Sequence, residues 1–281
     1  MGKFHNVKSL WFVPLNNQKI AKSKYVTKMV ALRKPDAIIL DLEDAVPEHF
    51  KEEARSMIVE AVEFYSQLGV KIAVRVNKQC YLDLQEVAKV IDKVDAVIIP
   101  KVETLEEVEV AEAYIGKKVG VFIETISGIL NIDSYIGQSS IVMAMYGVED
   151  LTLDMGLMQP TRNNLLMPAA TIQMHCARYD IPFYGILGEF SNISQDVEQF
   201  VSDLRFAKEM GFSGAFAVYE TQIENINTIF AVTGEELELY AEILEIASTH
   251  KNGIFEHKGK MFGPPMIAKI KKFMEKNNAT A

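Results

Sequence analysis

Eight short apolar runs, separated mostly by helical patterns, constrain this chain more than any other feature. They cover residues 10–15, 36–44, 71–77, 96–102, 118–125, 141–150, 182–189 and 214–222. Several are unbroken Val/Ile/Leu stretches rather than alternating ones. A strand covered on both faces has no polar side to show, so such runs predict parallel strands buried under helices. The segments between them supply those helices. From Glu52 to Leu68, the residues Ala54, Ile58, Ala61, Val62, Tyr65 and Leu68 make one stripe at helical spacing. Thr104 with Glu107, and Thr233 with Glu236, have capping-box spacing ahead of apolar stripes. Ser194 is placed to cap a helix bearing Val197, Val201, Leu204 and Ala207. Strand–helix alternation repeated eight times predicts an α/β fold, a (β/α)8 TIM barrel.

No Gly/Ser-rich or Pro-rich linker interrupts the chain, and residues 1–250 are read as one barrel domain carrying the chemistry. Residues 251–281 are read as a C-terminal helical extension. It contains a break at Gly263-Pro264-Pro265, then a basic helix from Met266 to Met274. Two roles stand open for it: a lid or subunit contact, or a surface helix docking Ile267 and Ile270 on the barrel.

Bulk composition narrows the function class. Hydrophobic residues make up 49% and charged residues 24%, which is globular rather than disordered. A formal charge of −9 argues against nucleic acid as a partner. No run approaches the roughly 18 apolar residues of a membrane span, so no membrane partner is expected. Cys80 and Cys176 form no CxxC pair, which fits reduced thiols and a cytoplasmic setting. None of the five histidines falls at a strand end, and no zinc-hydrolase spacing, P-loop or nucleophile elbow occurs.

In barrel enzymes the active site lies at the carboxyl ends of the strands. Here those ends carry Asp41, Glu43 and Asp44; Arg75; Lys101; Glu124; and Glu149 with Asp150. Buried charges are costly unless paired or metal-bound, so so many charged ends point to a site rather than to fold stability. Glu124 and Asp150 are the candidate metal ligands, because two carboxylates suffice for a hard cation such as Mg²⁺ that keeps several waters; the alternative is a hydrogen-bonded acidic pair that shares a proton. Arg75 has the planar fork suited to a carboxylate or an enolate oxygen, or alternatively to a structural pair with Asp41 or Asp44. Lys101 reads as a charge-balancing lysine. The alternative, a Schiff-base amine, needs a lowered pKa that neighbouring carboxylates oppose.

These residues lie in stretches that resemble the citrate lyase beta-subunit-like branch of the HpcH/HpaI aldolase superfamily. The matching stretches are Ser9-Leu-Trp-Phe-Val-Pro14, Ile39-Leu-Asp-Leu-Glu-Asp-Ala-Val46, Val74-Arg-Val-Asn77, Ile99-Pro-Lys-Val-Glu103, Ile123-Glu-Thr125 and Gly147-Val-Glu-Asp-Leu151. The resemblance implies a barrel, a homo-oligomer with a trimer favoured, and Mg²⁺ on Glu124 and Asp150. It implies Arg75, Glu43 and Asp44 as catalytic residues, with Asp41, Lys101, Gly147 and Val148 beside Arg75 at the substrate. The implied reaction is carbon–carbon cleavage of a hydroxy-dicarboxylate or its thioester on coenzyme A or an acyl carrier (citryl-, malyl- or citramalyl-like), releasing a 2-oxo acid. Two departures stand out. Tyr219-Glu220 replaces the family's His-Pro after the eighth strand, and Gly263 stands where a lid acid is usual. The proton-transfer group is therefore sought among Glu43, Asp44, Glu220 and a metal-bound water. Two other expectations remain at this point: a catalytically weak oxo-acid-binding or complex-forming subunit, and a phosphoenolpyruvate-type barrel enzyme with a phosphate loop near Gly185 and Gly188.

Overall fold

The structure, a computed structural model, describes residues 4–15, 24–189, 197–250 and 253–278. It divides into two compact units, Met1–Phe230 and Ala231–Ala281. The first contains eight strands: β1 (Ser9–Pro14), β2 (Ala37–Asp41), β3 (Lys71–Arg75), β4 (Ala96–Ile99), β5 (Val119–Ile123), β6 (Ile141–Tyr146), β7 (Phe183–Tyr184) and β8 (Ala215–Ala217). They form one parallel sheet in the order β7-β6-β5-β4-β3-β2-β1-β8. Tyr184 bridges Gly214 in parallel, and the Ser213 N–H donates to the Phe183 carbonyl at 2.7 Å, which brings the sheet round on itself. The barrel expected from the eight runs is the fold observed.

The apolar runs form strands for the reason their composition suggests. Every residue of β2, β4 and β5 is buried. Each such Val, Ile or Leu contributes roughly 1.5–3 kcal/mol on leaving water. The strands are shorter than the runs, however, and the residues beyond them turn into loops or helices. After β6, Val148–Asp154 is a helix, so Asp150 lies in a helical first turn and not in an extended strand. After β8, Gln222–Phe230 is likewise helical. The stripe over 52–68 is divided at Met57 into Lys51–Ser56 and Ile58–Tyr65, followed by a 3₁₀ turn at Ser66–Leu68. Ser194 lies outside the described residues, and the helix it was expected to cap runs Val197–Glu209.

Capping fixes where helices begin. Thr104 and Glu107 form a capping box at the start of Leu105–Ile115, as their spacing predicts. Thr125 caps Ile126–Leu130 directly after Glu124, its Oγ1 accepting from the Gly128 N–H at 3.0 Å. A Cβ on Gly128 would lie 2.4 Å from the Val102 carbonyl, so only glycine lets this helix seat against the loop that follows β4.

The second unit has its own small core. Gly234–Thr249 starts at the Thr233–Glu236 capping box. This helix was expected to close the barrel domain at residue 250, yet it groups with the C-terminal unit. The reason is packing: Ile243 joins Phe255, Phe262 and Ile270 in one cluster, with Ile267 against it. Ile267 and Ile270 thus pack within their own unit. Phe255–His257 and Lys260–Phe262 form an antiparallel hairpin that the sequence reading missed. Its turn, Lys258-Gly259, has φ of 48° and 77°, the left-handed pair of a tight hairpin turn. The helix Pro264–Asn278 follows.

Candidate active site

Strand register assembles the first half of the mouth. Pro14 pairs with Asp41 across β1 and β2, and Asp41 with Arg75 across β2 and β3. Register partners on parallel strands share a face, so the acid and the guanidinium meet side by side. Arg75 Nε and Nη2 donate to the two oxygens of Asp41 at 2.7 Å each, a bidentate pair. Arg75 Nη1 donates to Asp44 at 2.9 Å and lies 2.8 Å from Glu43 Oε2, out of hydrogen-bond alignment with it. Asp41 also accepts from the Glu43 and Ala45 N–H groups, so its oxygens are committed to holding this loop and this arginine. Lys51 ties the same loop down by donating to the Leu42 and Glu43 carbonyls at 3.0 and 2.8 Å. The rings of Phe12 and Phe122 stand 4.8 and 5.7 Å from the guanidinium carbon. Arg75 stays charged: burial disfavours the cation, but Asp41, Glu43 and Asp44 outweigh it and raise its pKa further.

The second half is built from β4, β5 and β6. Ile123 pairs with Tyr146, which places Glu124 beside Gly147. A Cβ on Gly147 would sit 2.4 Å from Glu124 Oε2, so the glycine makes the space the carboxylate fills. The Lys101 N–H donates to Glu124 Oε1 at 2.9 Å. The Lys101 ammonium lies 3.1 Å from Glu43 Oε1 and 3.2 Å from Asp150 Oδ2. Glu124 is 2% exposed and its pKa is pushed well above the usual carboxylate range, first by burial, then by Glu43 and Asp150. Burial, and after it Asp44, also pushes Glu43 up against the opposing Arg75 and Lys101. Asp44 goes the other way: burial would raise it, but Arg75 and Lys101 together win and lower it.

Between the halves lies a cavity of about 340 Å³ lined by Asp41, Asp44, Arg75, Glu124, Gly147, Val148 and Asp150 on its polar side. Its apolar wall is Phe12, Phe122 and Phe216, packed edge to face at 5.5 Å centroid spacing. Glu43 and Lys101 reach the same cluster through the ion pairs above. The residues singled out at the strand ends are therefore brought together. The aromatic wall was missed, because a phenylalanine in an apolar strand reads as ordinary core. Glu220, considered as a proton carrier, bonds the Tyr25 hydroxyl and pushes its pKa up to about 12. Gly188, considered for a phosphate loop, has its missing Cβ 2.4 Å from the carboxylate of Asp203, a poor surrounding for phosphate.

The donor set fits a hard divalent cation. It offers carboxylate oxygens only, and the raised Glu124 marks an excess of acid that a cation would relieve. Among the described residues no three His, Cys, Asp or Glu side chains close into a complete metal cage. That is compatible with an ion such as Mg²⁺, which completes its shell with water and substrate.

The HpcH/HpaI aldolase/citrate lyase family model matches residues 8–219. The chain belongs to this family, which contains carbon–carbon lyases. It is 26% identical to the citrate lyase subunit beta of Leuconostoc mesenteroides subsp. cremoris, with 97% of this chain and 93% of that protein covered. It is also 26% identical to a (3S)-malyl-CoA thioesterase of Cereibacter sphaeroides, over 88% of each chain. Among solved structures it resembles the protein CitE from Mycobacterium tuberculosis in complex with magnesium, acetoacetate and coenzyme A, with a TM-score of 0.75 and 20% identity over 98% of this chain and 99% of that one. No helix among the described residues is long and apolar enough to cross a membrane.

Proposed function

We propose that this protein is a Mg²⁺-dependent carbon–carbon lyase that cleaves a malyl-, citramalyl- or citryl-like hydroxy acid, free or as a thioester, and releases a 2-oxo acid. The observation that carries this reading is the pairing of an acid cluster, buried Glu43 and Glu124 with half-buried Asp150, with an oriented arginine at one small cavity. Glu124 and Asp150 would hold the ion. Bound there, Mg²⁺ would supply a Lewis acid to the oxygens of the 2-oxo acid. That relatives carry the names of citrate lyase and malyl-CoA enzymes supports the substrate class.

The remaining chemistry falls to this chain's own side chains. Cleavage removes a proton from the substrate hydroxyl, breaks the adjacent carbon–carbon bond and leaves the electron pair as an enolate on the departing acyl half. Three of the five N–H groups of Arg75 are given to Asp41 and Asp44 in the described residues. Of the others, the one on Nη2 would meet oxygen where negative charge develops, while Nη1 stands 2.8 Å from Glu43 Oε2. Glu43, raised by burial and set between Arg75 and Lys101, is the proton carrier in this reading. Asp44, held low, stays an anion that fixes Arg75. Phe12, Phe122 and Phe216 keep water from the reacting carbons.

The test is direct. Pyruvate, glyoxylate and oxaloacetate are titrated into the protein with and without Mg²⁺, and malyl- and citramalyl-coenzyme A are assayed for turnover. Mg²⁺-dependent binding and turnover, both lost in Asp150→Ala while the circular dichroism spectrum is kept, are the expected results. Binding and turnover that survive Glu124→Ala combined with Asp150→Ala would overturn the assignment.

A further inference from the structure

Lys101 is the residue that the acid cluster shares. It follows β4 with φ of 51°, a left-handed conformation that L-residues with a side chain rarely adopt. That twist lets a single residue serve four acids. Its N–H donates to Glu124 Oε1 at 2.9 Å. Its ammonium lies 3.1 Å from Glu43, 3.2 Å from Asp150 and 3.8 Å from Asp44. It thus touches both carboxylates assigned to the ion, one through its backbone and one through its charge. Arg75 does not take this role: its fork is turned to Asp41, Glu43 and Asp44, and among the described residues it makes no ion pair with Glu124 or Asp150.

We infer that the Lys101 ammonium is a built-in counter-ion for the acid cluster, which an entering divalent cation must displace, so that Lys101 sets the affinity of the site for the ion. The inference rests on the metal reading above. Its physics is simple. An ammonium and a dication are like charges, and one Asp150 carboxylate cannot hold both at close range without a repulsion worth more than a typical surface ion pair. Lys101 is also built to leave. Its charge rides on a flexible four-carbon stem, its side chain is 25% exposed, and the half-exposed Asp44 waits 3.8 Å away. The device offsets part of the cluster's negative charge without an ion and gives way when the ion arrives.

Mg²⁺ is titrated calorimetrically into the full-length wild type, Lys101→Met and Lys101→Asn; the asparagine tolerates the left-handed backbone and guards against misfolding of the first variant. Lys101 acylation by acetic anhydride is followed in the wild type by mass spectrometry, with and without Mg²⁺. We expect Mg²⁺ to bind either neutral variant about tenfold more tightly than wild type, the scale of one close charge–charge contact. We expect Lys101→Arg, which keeps the charge, to stay near wild type, and Mg²⁺ to speed Lys101 acylation severalfold. Mg²⁺ binding that is lost in Glu124→Gln but no tighter in folded Lys101→Met or Lys101→Asn overturns this inference alone. Unchanged Lys101 acylation in Mg²⁺-saturated wild type does the same. No Mg²⁺ binding by wild type or by either neutral variant overturns both it and the metal reading.

Discussion

The two halves of the mouth contain the same kinds of side chain and differ in charge balance. On the β2–β3 side, Asp41 and Arg75 are register partners, both nearly inaccessible, and satisfy each other through two bonds of 2.7 Å. On the β5–β6 side, Glu124 is as buried as Asp41 but has, among the described residues, only a backbone N–H on one oxygen and an ammonium shared with three other acids nearby. The first half is a finished structural element. The second is an unfinished one, with its carboxyl raised well above the ordinary range by burial and by Glu43 and Asp150. A buried acid that lacks a cation is a poor contributor to stability and a good receptor for one, so the same residue type serves architecture on one side and ligand binding on the other.

That contrast is open to attack at several points, in decreasing order of effect. Arg75→Met strands Asp41 without its partner in a sealed site. It should cost about 3–5 kcal/mol in urea unfolding and lower turnover by 10²-fold or more, roughly the value of a lost oxyanion donor. Asp41→Asn keeps the shape but removes the charge, and a loss of about 2–3 kcal/mol should follow in the same unfolding measurement. Asp44→Asn touches an acid whose side chain is 54% exposed, and solvent screening should hold the loss below about 1 kcal/mol. Glu124→Gln should change stability in chelator by less than about 1 kcal/mol in either direction, since it relieves repulsion while its Oε1 still accepts from Lys101. Its effect should appear instead as loss of Mg²⁺ binding in calorimetry. A Glu124→Gln protein that unfolds as readily as Asp41→Asn would show that the two halves are alike and remove the basis for the comparison.

Much of the fold was legible because strand and helix periodicities are local properties. The runs at 36–44 and 118–125 lie where β2 and β5 form, and the capping boxes at Thr104 and Thr233 start helices as their spacing predicts. Strand ends were read too long. The run was read on through Gly147-Val148-Glu149-Asp150, where only Val148 is apolar, but the β6 pairing stops at Tyr146 and the chain coils into Val148–Asp154. Asp150 was selected as the end of a strand and reaches the mouth from a helix. The hairpin at 255–262 and the grouping of 234–249 with it depend on which apolar faces meet, as Ile243 with Ile270 and Phe255 do, and no window of sequence contains that information.

The sequence by itself determined the order of strands and helices, and which charged residues follow each strand. Alternating short-range patterns leave one economical way to bury both faces of eight strands. Only the tertiary structure decided which of those charges cancel. Coulomb interaction depends on separations of a few ångströms and on burial, and these follow from register between β2 and β3, from the space left by Gly147 and from the left-handed turn at Lys101. Those distances leave Asp41 neutralised and Glu124 in want of a cation.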